Sequence, residues 1–139
     1  LHAIGEIKDI KDVMVLQPTS PLRNYIDIES IVSLRENNYC DSAVSLTLSR
    51  NHPEWMFKIG SSEKITPLLD QNLINRRQDL PPIYSLNGAI YLCTKKFLLR
   101  EKAFINKETI GYVMPYNRSV DIDSYIDWEI GELFAKKFS

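Results

Sequence analysis

Two carboxylates separated by a single residue give the clearest chemical signal in this 139-residue sequence. They are Asp121 and Asp123, on either side of Ile122. In an extended segment alternate side chains share a face, so both carboxylates would point the same way while Ile122 points into the core. Neighbouring carboxylates repel unless a cation lies between them, and Mg²⁺ favours such hard oxygen ligands. The pattern predicts a magnesium site, although a solvated Asp121 and an Asp123 that only assists helix capping fit it too.

A helix is predicted directly after this pair. Ser124 suits its N-cap, and Asp127 stands three residues later at the capping-box position, which explains Asp127 more simply than a metal role does. The positive end of the helix would lower the cost of holding both carboxylates. The spacing predicts a buried apolar stripe made of Ile126, Ile130, Leu133, Phe134 and Phe138.

A second polar cluster follows a short apolar run. Asp12–Leu16 contains β-branched residues and is typical of a strand buried on both faces in a mainly parallel sheet. The next stretch, 17–21, reads QPTSP, and its two prolines end sheet pairing. Gln17, Thr19 and Ser20 would therefore stand at the carboxyl end of the strand, where open α/β sheets bind ligands. An ordinary polar turn is the alternative.

A later strand, predicted over 84–93, has side chains that end in polar groups on an otherwise apolar face. Asn87 and Tyr91 lie on that face, and buried polar groups need partners, which either the protein or a ligand must supply. Gly88 lies between them and has no side chain, so a ligand could approach the backbone closely. This strand is therefore a second candidate wall of a binding site.

An arginine pair precedes this strand. Arg76 and Arg77 could be a solvated charge run, which is the common case. A guanidinium fork also matches a carboxylate in a bidentate fashion, so one of them could bind an acidic substrate.

The remaining elements must hold these residues in place. A helix is predicted from an N-cap at Asn24, with Asp27 as its capping-box partner, and a strand over Ser42–Leu48 follows. A strand, a helix and a second strand form a βαβ unit, so the two strands should be parallel. With a further short helix at 95–102 and a strand at 110–114, the pattern predicts one α/β domain over 1–139, with a mainly parallel sheet flanked by helices.

The stretch 49–83 is polar and rich in proline, and it predicts an excursion from the main sheet with short strands near 55–59 and 63–69. Within it, His52 before Pro53 is more simply a structural residue than a catalytic base.

Composition excludes several classes of protein. The formal net charge is −1, which gives no sign of a nucleic-acid or membrane-surface partner. No apolar run approaches the roughly 20 residues that span a bilayer. Cys40 and Cys93 lack metal-ligand spacing, so we expect reduced thiols in a cytoplasmic protein.

Three blocks of the sequence resemble the acylneuraminate cytidylyltransferases, in the same order as in that family. They are LQPTSPLR at 16–23, RRQDLPPIYSLNGAIYL at 76–92 and SVDIDSYIDWEIGE at 119–132. The resemblance implies a nucleotide-diphospho-sugar transferase fold of the GT-A-like, Rossmann-like type, with a dimerisation arm at 49–83 and hence a homodimer. It also implies an enzyme that joins CTP to a nine-carbon, sialic-acid-type 2-keto sugar acid.

The resemblance assigns roles to the candidate residues. Asp121 and Asp123 match the motif that binds the metal, Mg²⁺, and are expected to be the catalytic carboxylates. Gln17, Asn87 and Tyr91 would line the sugar-acid pocket with Gly88 between them, whereas Thr19 and Ser20 would contact the nucleotide or only complete the turn. Arg77 matches an arginine that reaches into the neighbouring subunit's site.

Two departures from the family pattern shape the expectations. Family members begin with a Gly- and Lys/Arg-rich triphosphate loop, whereas this sequence opens on Leu1 without one. We therefore expect the C-terminal part of a longer enzyme, inactive or nearly so on its own. His52-Pro53 also lacks the lysine that some relatives carry two residues later. A non-catalytic sugar-acid-binding or dimerisation module, or a transferase for an eight-carbon sugar acid, stays open.

Overall fold

The computed structural model describes residue 4, residues 7–69, residue 76 and residues 79–138. It divides into two compact units, one formed by Leu1–Thr47 with Leu86–Ser139 and the other by Leu48–Ser85. The elements in chain order are β1 (Asp12–Leu16), α1 (Tyr25–Asn37), β2 (Ser42–Leu48), β3 (Phe57–Ile59), β4 (Ile65–Pro67), β5 (Tyr84–Thr94), α2 (Lys95–Glu101), β6 (Ile110–Val113) and α3 (Tyr125–Phe138).

The main sheet is mixed, with mostly antiparallel pairing, and is not the mainly parallel sheet that the sequence predicts. Its strand order is β1-β5-β2-β6, and among the described strands β2 and β6 form the one parallel pair. β5 is antiparallel to β1, with Val13 opposite Cys93 and Val15 opposite Tyr91. The strand–helix–strand pattern of β1, α1 and β2 does not require adjacent strands, and β5 lies between β1 and β2.

β1 is less buried than its apolar run suggests. Its ends, Asp12 and Leu16, are exposed, and the three residues between them are half-buried. β1 is the outermost strand of the described sheet, which explains this exposure. Both inner strands are buried on both faces, β5 at residues 87–90 and 92–93 and β2 at residues 42–45.

Helices cover both faces of this sheet. Ile31 of α1 belongs to a core cluster with Ile90 and Leu92 of β5, against which Met14 packs. Phe97 and Leu98 of α2 form a second cluster that includes Val13. Since Val13 and Met14 are consecutive strand residues and point to opposite faces, α1 and α2 lie on opposite sides of the sheet.

The predicted capping box of α1 is confirmed. The Asn24 side chain accepts hydrogen bonds from the backbone N–H groups of Ile26 and Asp27, and the Asp27 carboxylate accepts from the Asn24 N–H at 3.0 Å. These contacts satisfy donors that the first turn of a helix would otherwise leave unpaired.

The prediction of a buried stripe on α3 is wrong for most of its members. Ile126, Leu133 and Phe138 are more than half exposed, and Gly131 is the buried residue of this helix. A Cβ on Gly131 would lie 3.6 Å from Ile122, so the helix packs through its smallest residue against Ile122. Periodicity identifies an apolar face but does not show what covers that face.

The unit of residues 48–85 contains the two short strands predicted there. β3 and β4 pair antiparallel, with Phe57 opposite Pro67 and Ile59 opposite Ile65. The side chains of Phe57, Ile59 and Ile65 are exposed, as are those of Trp55, Met56, Leu68 and Leu69. This unit therefore presents much apolar surface on a sheet of two strands.

Both cysteines are free thiols, as expected, and burial raises the pKa of Cys93 to about 11. Among the described residues, no helix combines the length and the apolar composition that crossing a bilayer requires.

Candidate functional site

The loop after β1 is fixed by its own arginine. The Ser20 N–H donates to the Gln17 carbonyl at 3.3 Å, which closes a turn around Pro18 and Thr19. Arg23 donates through Nη1 to the carbonyls of Gln17 and Ser20. Burial lowers the pKa of the Arg23 guanidinium, which nevertheless stays charged at neutral pH. Arg23 thus holds the loop in one conformation, a role that was not predicted from the sequence.

This loop joins two segments that are distant in the sequence. The Thr19 carbonyl accepts a hydrogen bond from the Ile122 N–H at 2.8 Å. Ser20 is completely buried, and its hydroxyl donates to the Asn87 carbonyl at 3.3 Å. The same oxygen lies 3.5 Å from Asp121 Oδ1, which is longer than a usual hydroxyl–carboxylate hydrogen bond. The loop, the start of β5 and the segment before α3 therefore meet at one place.

Gly88 marks the centre of this meeting point. Its φ of 72° lies in the left-handed region, which favours glycine. A Cβ at this position would overlap the side-chain oxygen Oε1 of Gln17 and lie 3.0 Å from Asp121 Oδ2. The amide of Gln17 and the carboxylate of Asp121 thus converge on Gly88, and they can come this close because residue 88 has no side chain. We call Gln17–Ser20, Gly88 and Asp121 the corner.

The amide of Asn87 is held by the protein. Its Oδ1 accepts from the Ser45 hydroxyl at 2.6 Å and from the Ala89 N–H at 3.2 Å. Its Nδ2 donates to the Ser119 hydroxyl at 3.0 Å and lies 3.3 Å from the sulfur of Met114. Of the two sources of partners considered from the sequence, the protein is the one observed, and direct contact with a ligand stays a prediction.

A buried ion pair that the sequence did not reveal lies next to the corner. Asp27 has no exposed surface, and Arg118 donates to both of its oxygens at 2.9 Å. Burial alone would raise the pKa of Asp27, but hydrogen bonds from Arg118, the Asn24 backbone and Tyr112 hold this pKa below its ordinary value. No sequence signal pointed to this pair, because Asp27 was already explained as a capping residue.

The two carboxylates of the predicted metal site differ in their surroundings. Asp121 is half-buried at the corner, whereas Asp123 is exposed at the start of α3. Asp127 completes the predicted capping box, since it accepts from the Ser124 N–H at 2.8 Å and from the Ser124 hydroxyl at 2.7 Å. These bonds and one from the Asp123 N–H hold the pKa of Asp127 below its usual range. Asp127 therefore has a structural role of its own.

The donor set suits a hard divalent cation. In the described part of the chain, no group of three or more His, Cys, Asp or Glu side chains is placed to hold a metal ion. Mg²⁺ commonly needs only one or two carboxylates, with water and phosphate oxygens completing its shell. Asp121 supplies one such carboxylate beside Gly88 and the Gln17 amide, and Asp123 follows two residues later.

The remaining predicted site residues differ in where they lie. The ring of Tyr91 packs against Phe104, with ring centres 5.8 Å apart, three residues beyond Gly88 on β5. Thr19 contributes its carbonyl to the corner. Arg77 lies outside the described residues, whereas Arg76 is exposed. His52 caps a short 3₁₀ helix through Nδ1, as its structural interpretation predicted.

Comparison with known proteins agrees with the resemblance in the sequence. No family model matches the chain. It is 32% identical to an N-acylneuraminate cytidylyltransferase of Streptococcus agalactiae serotype V over 133 aligned residues. These residues cover 94% of this chain and 32% of that protein. It is 35% identical over 123 residues to a CMP-N,N'-diacetyllegionaminic acid synthase of Legionella pneumophila, covering 86% and 52%.

A third relative extends the same pattern. An N-acylneuraminate cytidylyltransferase of Escherichia coli O18:K1:H7 is 28% identical over 137 residues, which cover 98% of this chain and 32% of that protein. The chain thus spans between about a third and a half of the length of these curated relatives. By its sequence, this chain is a homologue of the acylneuraminate cytidylyltransferases.

Proposed function

We propose that the natural protein carrying these residues joins CTP to a nine-carbon, sialic-acid-type 2-keto sugar acid, giving the CMP-sugar and pyrophosphate. One observation carries the proposal: the Gln17 amide and the Asp121 carboxylate converge on Gly88 of β5, just beyond the point where β1 ends. The names of the relatives support the reaction class, and the corner supplies the chemistry that this reaction needs.

The reaction requires that the sugar hydroxyl and the α-phosphate be positioned together and that the phosphate charge be neutralised. The anomeric hydroxyl of the sugar attacks the α-phosphate, loses its proton as the new bond forms, and displaces pyrophosphate, with no covalent enzyme intermediate. In our proposal Asp121 and Asp123 hold Mg²⁺, which when bound neutralises phosphate charge and polarises the reacting phosphate. Ser20, buried beside Asp121, helps to keep that carboxylate in place.

The sugar acid would lie above Gly88. Gln17 offers both a donor and an acceptor, which suits hydroxyl and N-acyl groups. Asn87 helps to hold Gly88 in place, because the hydrogen bonds of its amide fix the start of β5. We assign Tyr91 and Arg77 to the sugar acid and Thr19 to the nucleotide only by resemblance to the family.

Two further parts of the proposal concern assembly and place. The exposed apolar side chains of residues 48–85 support a homodimer, because a partner surface would remove them from water. A cytoplasmic location follows from the same reaction, since CTP is a cytoplasmic substrate.

The test is CMP-sugar formation from CTP and N-acetylneuraminic acid by the natural protein. We expect Mg²⁺-dependent turnover that Asp121→Asn reduces by about a hundredfold to a thousandfold, the loss of a principal charge-stabilising group. Glu36→Gln, at an exposed carboxylate on α1, is the matched control and should retain full activity. Binding of the sugar acid that needs neither Mg²⁺ nor Asp121, without turnover, would favour the non-catalytic module instead.

A further inference from the structure

Asp27 is a buried carboxylate that the proposed chemistry does not use. It accepts four hydrogen bonds: two from Arg118, one from the Tyr112 hydroxyl at 3.1 Å and one from the Asn24 N–H at 3.0 Å. A capping box needs only the last of these. The other three come from residues 85 and 91 positions away in the sequence. Asp27 therefore does more than begin α1.

The ion pair connects the two segments that build the corner. Asp27 stands in the first turn of α1, directly after the loop that carries Gln17 and Ser20. Arg118 stands three residues before Asp121. Its planar guanidinium meets the carboxylate in a two-pronged arrangement, which fixes direction as well as distance.

Asp121 depends on its neighbours in the chain for its position. Its carboxylate lies 3.5 Å from the Ser20 hydroxyl, which is too far for a strong hydrogen bond. The segment around it is held firmly on both sides, by Arg118 on Asp27, by Ser119 beneath Asn87 and by the Ile122 N–H on the Thr19 carbonyl. The Arg118 contact is the charged one among these three anchors, and charged hydrogen bonds are roughly twice as strong as neutral ones.

We infer that Arg118 and Asp27 are a positioning pair that sets the Asp121 carboxylate over Gly88 for cation binding, an inference that rests on the proposed function. A buried ion pair is by itself weak grounds for stability, because desolvation offsets much of the attraction. Its two-pronged geometry instead favours a role in fixing one arrangement of the two segments. Arg118 and Asp27 touch no substrate in this role and act through Asp121.

A second ion pair on the same helix provides a matched control. Arg35, in the last turn of α1, contacts Asp12 of β1 through a single nitrogen at 2.8 Å. In this pair the arginine is the buried partner, whereas in the first pair it is the aspartate, and the pair lies at the other end of α1. Substitution of Arg35 should affect folding and leave the corner unchanged.

The experiment uses two readouts on the natural protein. The first is Mn²⁺ affinity, measured from the free-ion electron paramagnetic resonance signal. Arg118→Lys keeps the charge but loses the fork, and we expect affinity to fall by about tenfold or more, as when metal ligands lose their outer partners. Tyr112→Phe, a milder change, should reduce affinity by about threefold. Arg35→Lys should leave affinity unchanged.

The second readout needs no metal. Hydrogen exchange of the Ile122 amide, which is bonded to Thr19, reports whether the two segments remain joined. We expect at least about tenfold faster exchange in Arg118→Lys and no change in Arg35→Lys.

The outcomes separate the two claims. Mn²⁺ affinity that Asp121→Asn leaves unchanged overturns the metal assignment of the proposed function, and this inference falls with it. Affinity that Asp121→Asn abolishes but Arg118→Lys and Tyr112→Phe leave at the wild-type value, with Ile122 exchange also unchanged, overturns the inference alone. Weaker Mn²⁺ binding and faster Ile122 exchange, confined to the Asp27–Arg118 pair, support it.

Discussion

The corner and the unit of residues 48–85 are built in opposite ways. At the corner and beside it, polar groups are buried and paired with residues far away in the sequence, such as Ser20 with Asn87 and Asp27 with Arg118. In the unit, neighbouring segments form a two-stranded sheet whose apolar side chains are exposed. In our proposal the corner binds a small charged ligand, whereas the unit binds another protein surface.

The largest difference between the two regions should appear at their glycines. Gly88→Ala places a Cβ against Gln17 and Asp121 at a φ of 72°, and we expect a loss of about 1–3 kcal/mol in unfolding free energy and a severe loss of activity. Gly60→Ala is the control, since a Cβ there would come no closer than 3.7 Å to another group. Denaturant unfolding and the CMP-sugar assay measure both effects, and equal tolerance at the two positions would contradict the contrast.

Two asparagines extend the comparison. Asn87→Ala removes a buried amide and leaves the Ser45 and Ser119 hydroxyls without it, which should cost about 1–3 kcal/mol. Asn51→Ala, at an exposed position in the other unit, should stay within about 0.5 kcal/mol of the wild type. Chemical denaturation midpoints measure both values. A wild-type midpoint for Asn87→Ala would show that the hydrogen bonds of Asn87 with Ser45 and Ser119 do not stabilise the fold.

Acid should weaken the fold through Asp27. Its pKa is lower in the folded protein than in the unfolded chain, where an aspartate has a pKa of about 3.9. A lowered pKa stabilises the folded state above the unfolded value, and this contribution is lost as pH falls through the folded value. Unfolding free energy measured below about pH 5 should therefore fall less steeply in Asp27→Asn than in the wild type. Identical slopes would contradict this expectation.

The smallest effect on folding is expected on the surface of the other unit. Phe57→Ser removes an exposed aromatic side chain and should leave the circular dichroism spectrum unchanged. If residues 48–85 join two copies, the dimer fraction in sedimentation experiments should fall with this variant. Ile126→Ser, at a still more exposed position on α3, should keep the wild-type dimer fraction. A dimer that Phe57→Ser leaves intact would contradict the role of this surface.

Local chemistry allowed much of this structure to be predicted from the sequence. The strand bounds of β1 and β2 and both capping boxes depend on neighbouring residues, so propensity and spacing were sufficient. The resemblance to the family implied that Asp121 and the loop after β1 belong to one site, and Asp121 Oδ1 lies 3.5 Å from the Ser20 hydroxyl of that loop.

Long-range pairing was beyond the reach of such reasoning. The amino-acid sequence of β5 does not indicate that this strand lies between β1 and β2 and runs antiparallel to β1. The contact between Asp27 and Arg118 spans 91 positions, and the local role of Asp27 concealed it. The apolar face of α3 was predicted correctly as a pattern, but its burial was not, because periodicity does not identify a covering surface.

The most direct test locates the cation. Crystals of the natural protein soaked with Mn²⁺ and CTP would give an anomalous scattering peak for the metal. We predict this peak at direct coordination distance from the Asp121 carboxylate, beside Gly88 and Gln17, and its loss in Asp121→Asn. A peak that lies away from Asp121, or that persists in Asp121→Asn, would contradict the proposed site.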